Sequence, residues 1–171
     1  MRGRAETSAL EVSRLPRRIL AKRMRDILAD LWPQYGLTIV TPHLQLRLPG
    51  GAELAELADL AGHGVDRPGE RPFLTPWTDG TYTDRARFVL QEHWHQLASW
   101  NVAAWRLGMG VFRAGRPIGV VTLRARDFPV VRQVTTPAWL GIDHQGKGYW
   151  NGSEGRTAHP CFKIISAPPP H

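Results

Sequence analysis

Three β-patterned segments, residues 104–112, 117–126 and 134–142, follow one another almost without pause. Ala114-Gly115 separates the first two as a hairpin turn, and Asp127-Phe128-Pro129 falls in the second connection. Connections this short join antiparallel neighbours, because a parallel crossover needs a dozen or more residues. Upstream, Leu44, Leu46 and Leu48 alternate with Gln45 and Arg47, a period-2 strand that Pro49-Gly50 ends. Residues 51–62 place Leu54, Leu57, Ala58 and Ala61 on one helical face, with Gly62 and Gly64 as a stop. Residues 63–82 read as a long loop rich in Pro, Gly and Asp. Thr83-Asp84 is expected to cap a second helix running to about Trp100, on which Phe88, Leu90, Trp94 and Leu97 recur. The expected order is β-α-α-β-β-β, an α+β chain with a mainly antiparallel sheet.

The 171 residues suffice for one domain with a buried core. At 42% hydrophobic and 22% charged, the chain lies outside the range of wholesale disorder. A single cysteine, Cys161, excludes an intramolecular disulfide framework and a Cys-rich zinc site. No apolar run approaches the ~18 residues that span a bilayer, so no membrane partner and a cytoplasmic location are expected. The net charge of +7 is concentrated: residues 1–25 hold eight basic side chains against Glu6 and Glu11, and the other 146 residues carry 14 basic and 13 acidic. Arginine outnumbers lysine 19 to 3 throughout, as a G+C-rich gene would also produce.

Residues 1–36 read as a basic extension, with a helix over 14–32 on which Leu20, Met24, Ile27 and Leu31 share a face. Its basic side suits RNA, an anionic membrane or a targeting role. A second reading places residues 1–23 upstream of a true start at Met24. Residues 37–148 form the body. Residues 149–171 lack a helical or strand period and read as an aberrant, disordered tail.

Among residues with chemistry, His93 and His95 lie roughly 200° apart on a helix and have no third ligand at helical spacing, so no metal is expected. The seven tryptophans are scattered over loop, helix and strand, which suits core packing better than base stacking. The segment WLGIDHQGKG, residues 139–148, is more specific. A strand ends at Ile142, and a glycine-bearing turn follows at once. Such a turn, leading into a helix, aims backbone N–H groups at one point and suits phosphate.

With that segment, the chain resembles the GNAT superfamily of acetyl-CoA-dependent N-acetyltransferases, in the branch that includes ribosomal-protein N-terminal acetyltransferases. The resemblance covers about residues 37–148, through TPHLQLRLP, PFLTPW, GRPIGVVTL and WLGIDHQGKG in that order. It implies the N-terminal half of an acyl-CoA N-acyltransferase fold and acetyl transfer to a primary amine, either a protein N-terminus or a small molecule. It implies acetyl-CoA as co-substrate, held by Leu140, Gly141 and Ile142 along the pantetheine and by Gln145, Gly146, Lys147 and Gly148 at the pyrophosphate. Phe73, Trp77 and Asp79 fall on the acceptor side. The catalytic base and the thiol's proton donor have no counterpart in the matching residues. Where the family's loop ends in Gly or Ala, this chain has Trp150, and the family's remaining helices and strands have no match after it. Activity is therefore expected to be impaired, with the fourth strand's edge unpaired and Val134, Trp139, Leu140 and Ile142 uncovered. A non-catalytic protein using its basic arm on RNA or another polyanion is the alternative.

The genetic code accounts for the change of character at the loop. Trp150 has only the codon TGG, and the codon for Asn151 begins with A, so a one-base shift reads GGA, glycine, at the position the loop needs. The expected outcome of sequencing the gene is one extra nucleotide near the codons for Lys147 and Gly148. The shifted frame should then continue as helix, strand, helix and strand; an early stop in that frame would overturn this reading.

Overall fold

The structure is a computed structural model that describes residues 17–67 and 76–149. It divides into two units, Met1–Thr38 and Ile39–His171. In the first, helix α1 (Arg17–Leu31) is followed by a 3-10 turn at Pro33–Gly36. Pro33 stops the helix because it has no N–H to continue the ladder, and Trp32 donates the last helical bond to the Leu28 carbonyl at 2.7 Å.

A five-stranded sheet follows in the order β1 (Thr38–Val40), β2 (Gln45–Arg47), β3 (Ala104–Arg113), β4 (Arg116–Arg126) and β5 (Ala138–Leu140). Helices α2 (Gly51–His63) and α3 (Tyr82–Ala98) lie between β2 and β3 in the chain. The pairs β2–β3, β3–β4 and β4–β5 are all antiparallel. This is an α+β architecture: the expected β-α-α-β-β-β order runs from β2 to β5, with β1 ahead of it and one short helix before the last strand. The alternating pattern did not signal β1, because all three of its residues are exposed and none contrasts with its neighbours.

The long β3–β4 hairpin runs in register from Ala104↔Arg126 to Arg113↔Arg116, with one irregularity between Val111 and Phe112. Its turn is Ala114-Gly115, both at positive φ. One sheet face turns Gly108, Gly110, Val120 and Thr122 toward α2 and α3. The intervening Leu107, Met109, Val111 and Val121 are equally buried, each at 2% exposure or less. Six consecutive buried residues in β3 follow from this two-sided cover.

Two details differ from the sequence pattern. Helix α3 is capped by Thr81, not at Thr83-Asp84. The Asp84 carboxylate accepts from the Thr81 N–H at 3.0 Å and hydroxyl at 2.7 Å, and the Asp84 N–H returns to Thr81 Oγ1. This reciprocal box needs a spacing of three, which Thr81 has and Thr83 lacks. The last strand is also shorter than residues 134–142. Only Ala138–Leu140 form the ladder, plus one bridge at Arg124↔Thr135. Residues Phe128–Val131 curl into a short helix, α4, between left-handed Asp127 and Arg132, and Pro137 offers a carbonyl to Thr122 but no N–H.

Two arginines tie the helices to the sheet and to each other. Arg47, 8% exposed, forks onto Glu53 with contacts of 2.6 and 2.5 Å and stacks 3.9 Å over the Phe112 ring. Glu53 also accepts the Gly50 N–H at 2.8 Å, so one carboxylate starts α2 and anchors it to β2. Arg85 of α3 donates to the Ala61 and Gly62 carbonyls at the end of α2 and to the Thr78 and Gly80 carbonyls of the preceding turn. It thereby supplies donors to the Gly62 carbonyl at the C-terminus of α2 and shares the Ala61 carbonyl with the Gly64 N–H. Arg85→Met is expected to lower stability by about 2–3 kcal/mol, whereas Arg87→Met on the exposed face should change it by less than about 0.5 kcal/mol. Urea denaturation of both variants checks this contrast.

Candidate functional site

The segment 138–149 is shaped by where its polar groups find partners. Strand β5 docks on β4 at Gly119↔Leu140, where a Cβ on Gly119 would collide with the backbone of Trp139 and Leu140. Past Leu140 the chain leaves the ladder. The Gly141 N–H donates to the Ile118 carbonyl at 3.1 Å, and the Ile142 N–H donates to the Gly64 carbonyl at 3.0 Å. Ile142–His144 make a single 3-10 turn. The Gln145 amide then reaches back to the Val65 carbonyl at 2.7 Å and the Leu140 carbonyl at 2.9 Å. Gln145 thus clamps the turn to the end of α2 and to β5.

Gly146 and Gly148 both take left-handed φ, +71° and +70°. Alternation of this kind at two glycines turns successive N–H groups to one side of the chain. The charge nearby is positive. Lys147 lies between the glycines and is exposed. Arg113 stacks 4.7 Å from the Tyr149 ring centre and donates to its hydroxyl at 2.7 Å. Burial, then the Lys147 charge, holds the His144 imidazole below its usual value, with Arg113 adding to the effect against the opposing pull of Asp143. A small cationic turn with glycine backbone is suited to an anionic group such as phosphate.

The other candidate residues separate. Phe73 lies outside the described residues, as do Trp150 and the tail after it. Trp77 is stacked on Phe88 at 4.9 Å with 13° between the rings, and its centroid lies 6.0 Å from that of Trp139. It is brought to β5, but as a packed ring. Asp79 is exposed in the turn before α3, its N–H bonded to the Pro76 carbonyl. Strand β5 is an edge of the sheet, yet Val134, Trp139 and Ile142 are half-buried and Leu140 is 6% exposed. The expected uncovered apolar face is therefore closed in this structure. Trp77 covers Trp139, and Leu60 of α2 closes over Gly141, where a Cβ would not fit.

The sequence pattern missed one face of α3. Phe88, Val89, Glu92, His93 and Gln96 line a pocket against Gly108, Val120, Thr122 and Trp139. Burial alone lowers the pKa of His93 from the free value of 6.5. His95, two residues on, is exposed on another face. Spacing could place these residues on one helical face, but only the sheet shows which face encloses space.

No protein-family profile matches the chain. Among solved structures it is similar to a protein provisionally described as an acetyltransferase, at 20% identity over 66% of this chain and 60% of that one, with a TM-score of 0.46. It is likewise similar to a provisionally assigned ribosomal-protein-serine acetyltransferase from Vibrio cholerae, at 20% identity over 66% and 59% of the two chains, with a TM-score of 0.43. The chain spans about three-fifths of the length of each. No helix among the described residues is long and apolar enough to cross a membrane.

His93 sets a pH dependence. Its folded pKa lies below 6.5, so above that pH the ring is neutral in both states and stability is full. As the pH falls through 6.5 the unfolded chain takes the proton first, and stability declines until the folded ring also titrates. Melting temperature is expected to drop between pH 7 and pH 5 and to drop less in His93→Phe. His144, whose shift has the same sign, adds to the slope that remains.

Proposed function

We propose that residues 37–148 form the N-terminal part of a GNAT-type N-acetyltransferase domain, which transfers acetyl from acetyl-CoA to a primary amine, and that activity is impaired in this chain. The observation that carries this reading is the turn after β5, with two left-handed glycines, an exposed lysine between them and a glutamine clamp behind. The acetyltransferase resemblance of residues 139–148 supports it, since that resemblance assigns this turn to the pyrophosphate. Gly146, Lys147 and Gly148 would hold the pyrophosphate by main-chain N–H groups and the Lys147 charge. Gln145 acts as the positioning residue, because its amide is engaged by Val65 and Leu140.

In the reaction a neutral amine attacks the thioester carbonyl, the carbon–nitrogen bond forms and the carbon–sulfur bond breaks. The amine gives up a proton to a base, and the thiolate receives one. The developing oxyanion needs a main-chain donor along the strand. Here the N–H groups of Gly141 and Ile142 are already bonded to Ile118 and Gly64, which leaves Leu140 as the candidate donor from that trio. A phosphate cradle with its neighbouring strand donors engaged elsewhere supports binding better than turnover. The amine is a protein N-terminus or a small molecule, and Asp79 and Phe73 belong to the loop expected to meet it.

Calorimetric titration of the full chain with coenzyme A tests the reading. The expected Kd is about 1 mM, worth about 4 kcal/mol, and Lys147→Glu should weaken it further. Micromolar one-to-one binding would overturn the impairment. Equal heats for wild type and Lys147→Glu would overturn the cofactor assignment.

A further inference from the structure

The closed end of the β3–β4 hairpin gathers positive charge. Arg113, the last residue of β3, lies directly opposite Arg116, the first of β4, across the Ala114-Gly115 turn. Both residues are exposed. Like charges in facing positions repel, and among the described residues neither arginine is in an ion pair. Arg113 has a neutral partner instead. Its guanidinium donates to the Tyr149 hydroxyl at 2.7 Å, and its carbon lies 4.7 Å from the ring centre. Tyr149 directly follows Gly148, so its backbone continues the glycine turn while its ring lies against Arg113. Arg113 and Lys147 both push the His144 pKa down, which places the two cations around the same few residues.

A phenol is a poor partner for a guanidinium. It offers one neutral acceptor, whereas a phosphate offers several charged oxygens that match the planar fork in pairs. Charge-assisted bonds are roughly twice as strong as neutral ones, and an anion would also relieve the repulsion between Arg113 and Arg116. Yet an anion at the turn gains Arg113 only when the Tyr149 hydroxyl and ring release it, and that cost subtracts from its binding. The one-base shift that gives glycine in place of Trp150 changes Tyr149 too. The last two bases of a tyrosine codon, AT or AC, followed by the T of the Trp150 codon, read Ile or Thr. Neither carries a ring to occupy Arg113.

We propose that Arg113 is a further anion-binding residue of the glycine turn and that Tyr149 competes with the anion for it, a role that rests on the turn being a pyrophosphate site. The test is an NMR titration of the ¹⁵N-labelled full chain with sodium pyrophosphate, following the Gly146 and Gly148 amides against sodium chloride at equal ionic strength. Tyr149→Ile is expected to tighten binding about fivefold, because the anion no longer has to break one neutral hydrogen bond and one cation–π contact. Arg113→Gln in the Tyr149→Ile background should cancel that gain. Tyr149→Phe keeps the ring without the hydroxyl, so it should tighten binding about twofold, and it decides the matter if Tyr149→Ile does not fold. Lys147→Glu separates the competition from the site beneath it. If Lys147→Glu weakens binding but neither Tyr149 variant tightens it, the competition is overturned while the pyrophosphate site stands. If Lys147→Glu leaves binding unchanged, the site is overturned and the competition with it. A gain in Tyr149→Ile that survives Arg113→Gln would mean that the ring only shields the glycines, and would overturn the role of Arg113.

Discussion

The β3–β4 hairpin can serve as the platform of this fold only because it lacks side chains at three points of closest approach. At Gly110 a Cβ would stand 2.8 Å from the Phe112 ring and 3.4 Å from Leu57, the fully buried centre of α2. At Gly108 it would meet the Gln96 oxygen, and at Gly119 the backbone of β5. Interiors are close-packed, so a methyl group at any of these points must displace a neighbour. Helix α2, helix α3 and strand β5 each take their place where the hairpin yields room, and the pocket and the glycine turn inherit their positions from that arrangement.

Charge plays a second structural part. The chain is rich in arginine, but two of its most organised guanidinium groups serve neither phosphate nor solvent. Arg47 forks onto Glu53 and lies flat on Phe112, while Arg85 gathers carbonyls from the end of α2 and the turn before α3. A planar fork with five donors can do this where an ammonium could not. Arginine count is thus a poor guide to polyanion binding in this protein. The exposed positive groups near the glycine backbone, Lys147 and Arg113, are the ones on which the proposed pyrophosphate contact rests.

The turn and the pocket stand on either side of β5 in the chain's logic. Gln145 belongs to the glycine turn, yet its hydrogen bonds fix the carbonyls of Val65 and Leu140 and so hold α2 and β5 together. Trp139, the residue before Leu140, closes the pocket wall and meets Trp77. A change that shifts β5 would therefore disturb both places.

Periodicity alone determined most of the fold. The alternation of Leu44, Leu46 and Leu48, the apolar face of 51–62 and the short connections after 104 each state a local geometry that the tertiary structure keeps. The turn at 145–148 was legible for the same reason, since glycine spacing is a local signal of backbone shape. The rest depended on which surfaces meet. Trp77 was legible as an aromatic in a loop, but its stacking on Phe88 makes it part of a wall. The cap at Thr81 emerged only when the Asp84 carboxylate was seen to turn back to it. Gln96 was invisible in sequence, because a glutamine on a helix signals nothing until a sheet buries it. Sequence determines what each segment can be over a few residues, whereas burial and the loss of hydrogen-bond partners arise only when distant segments pack.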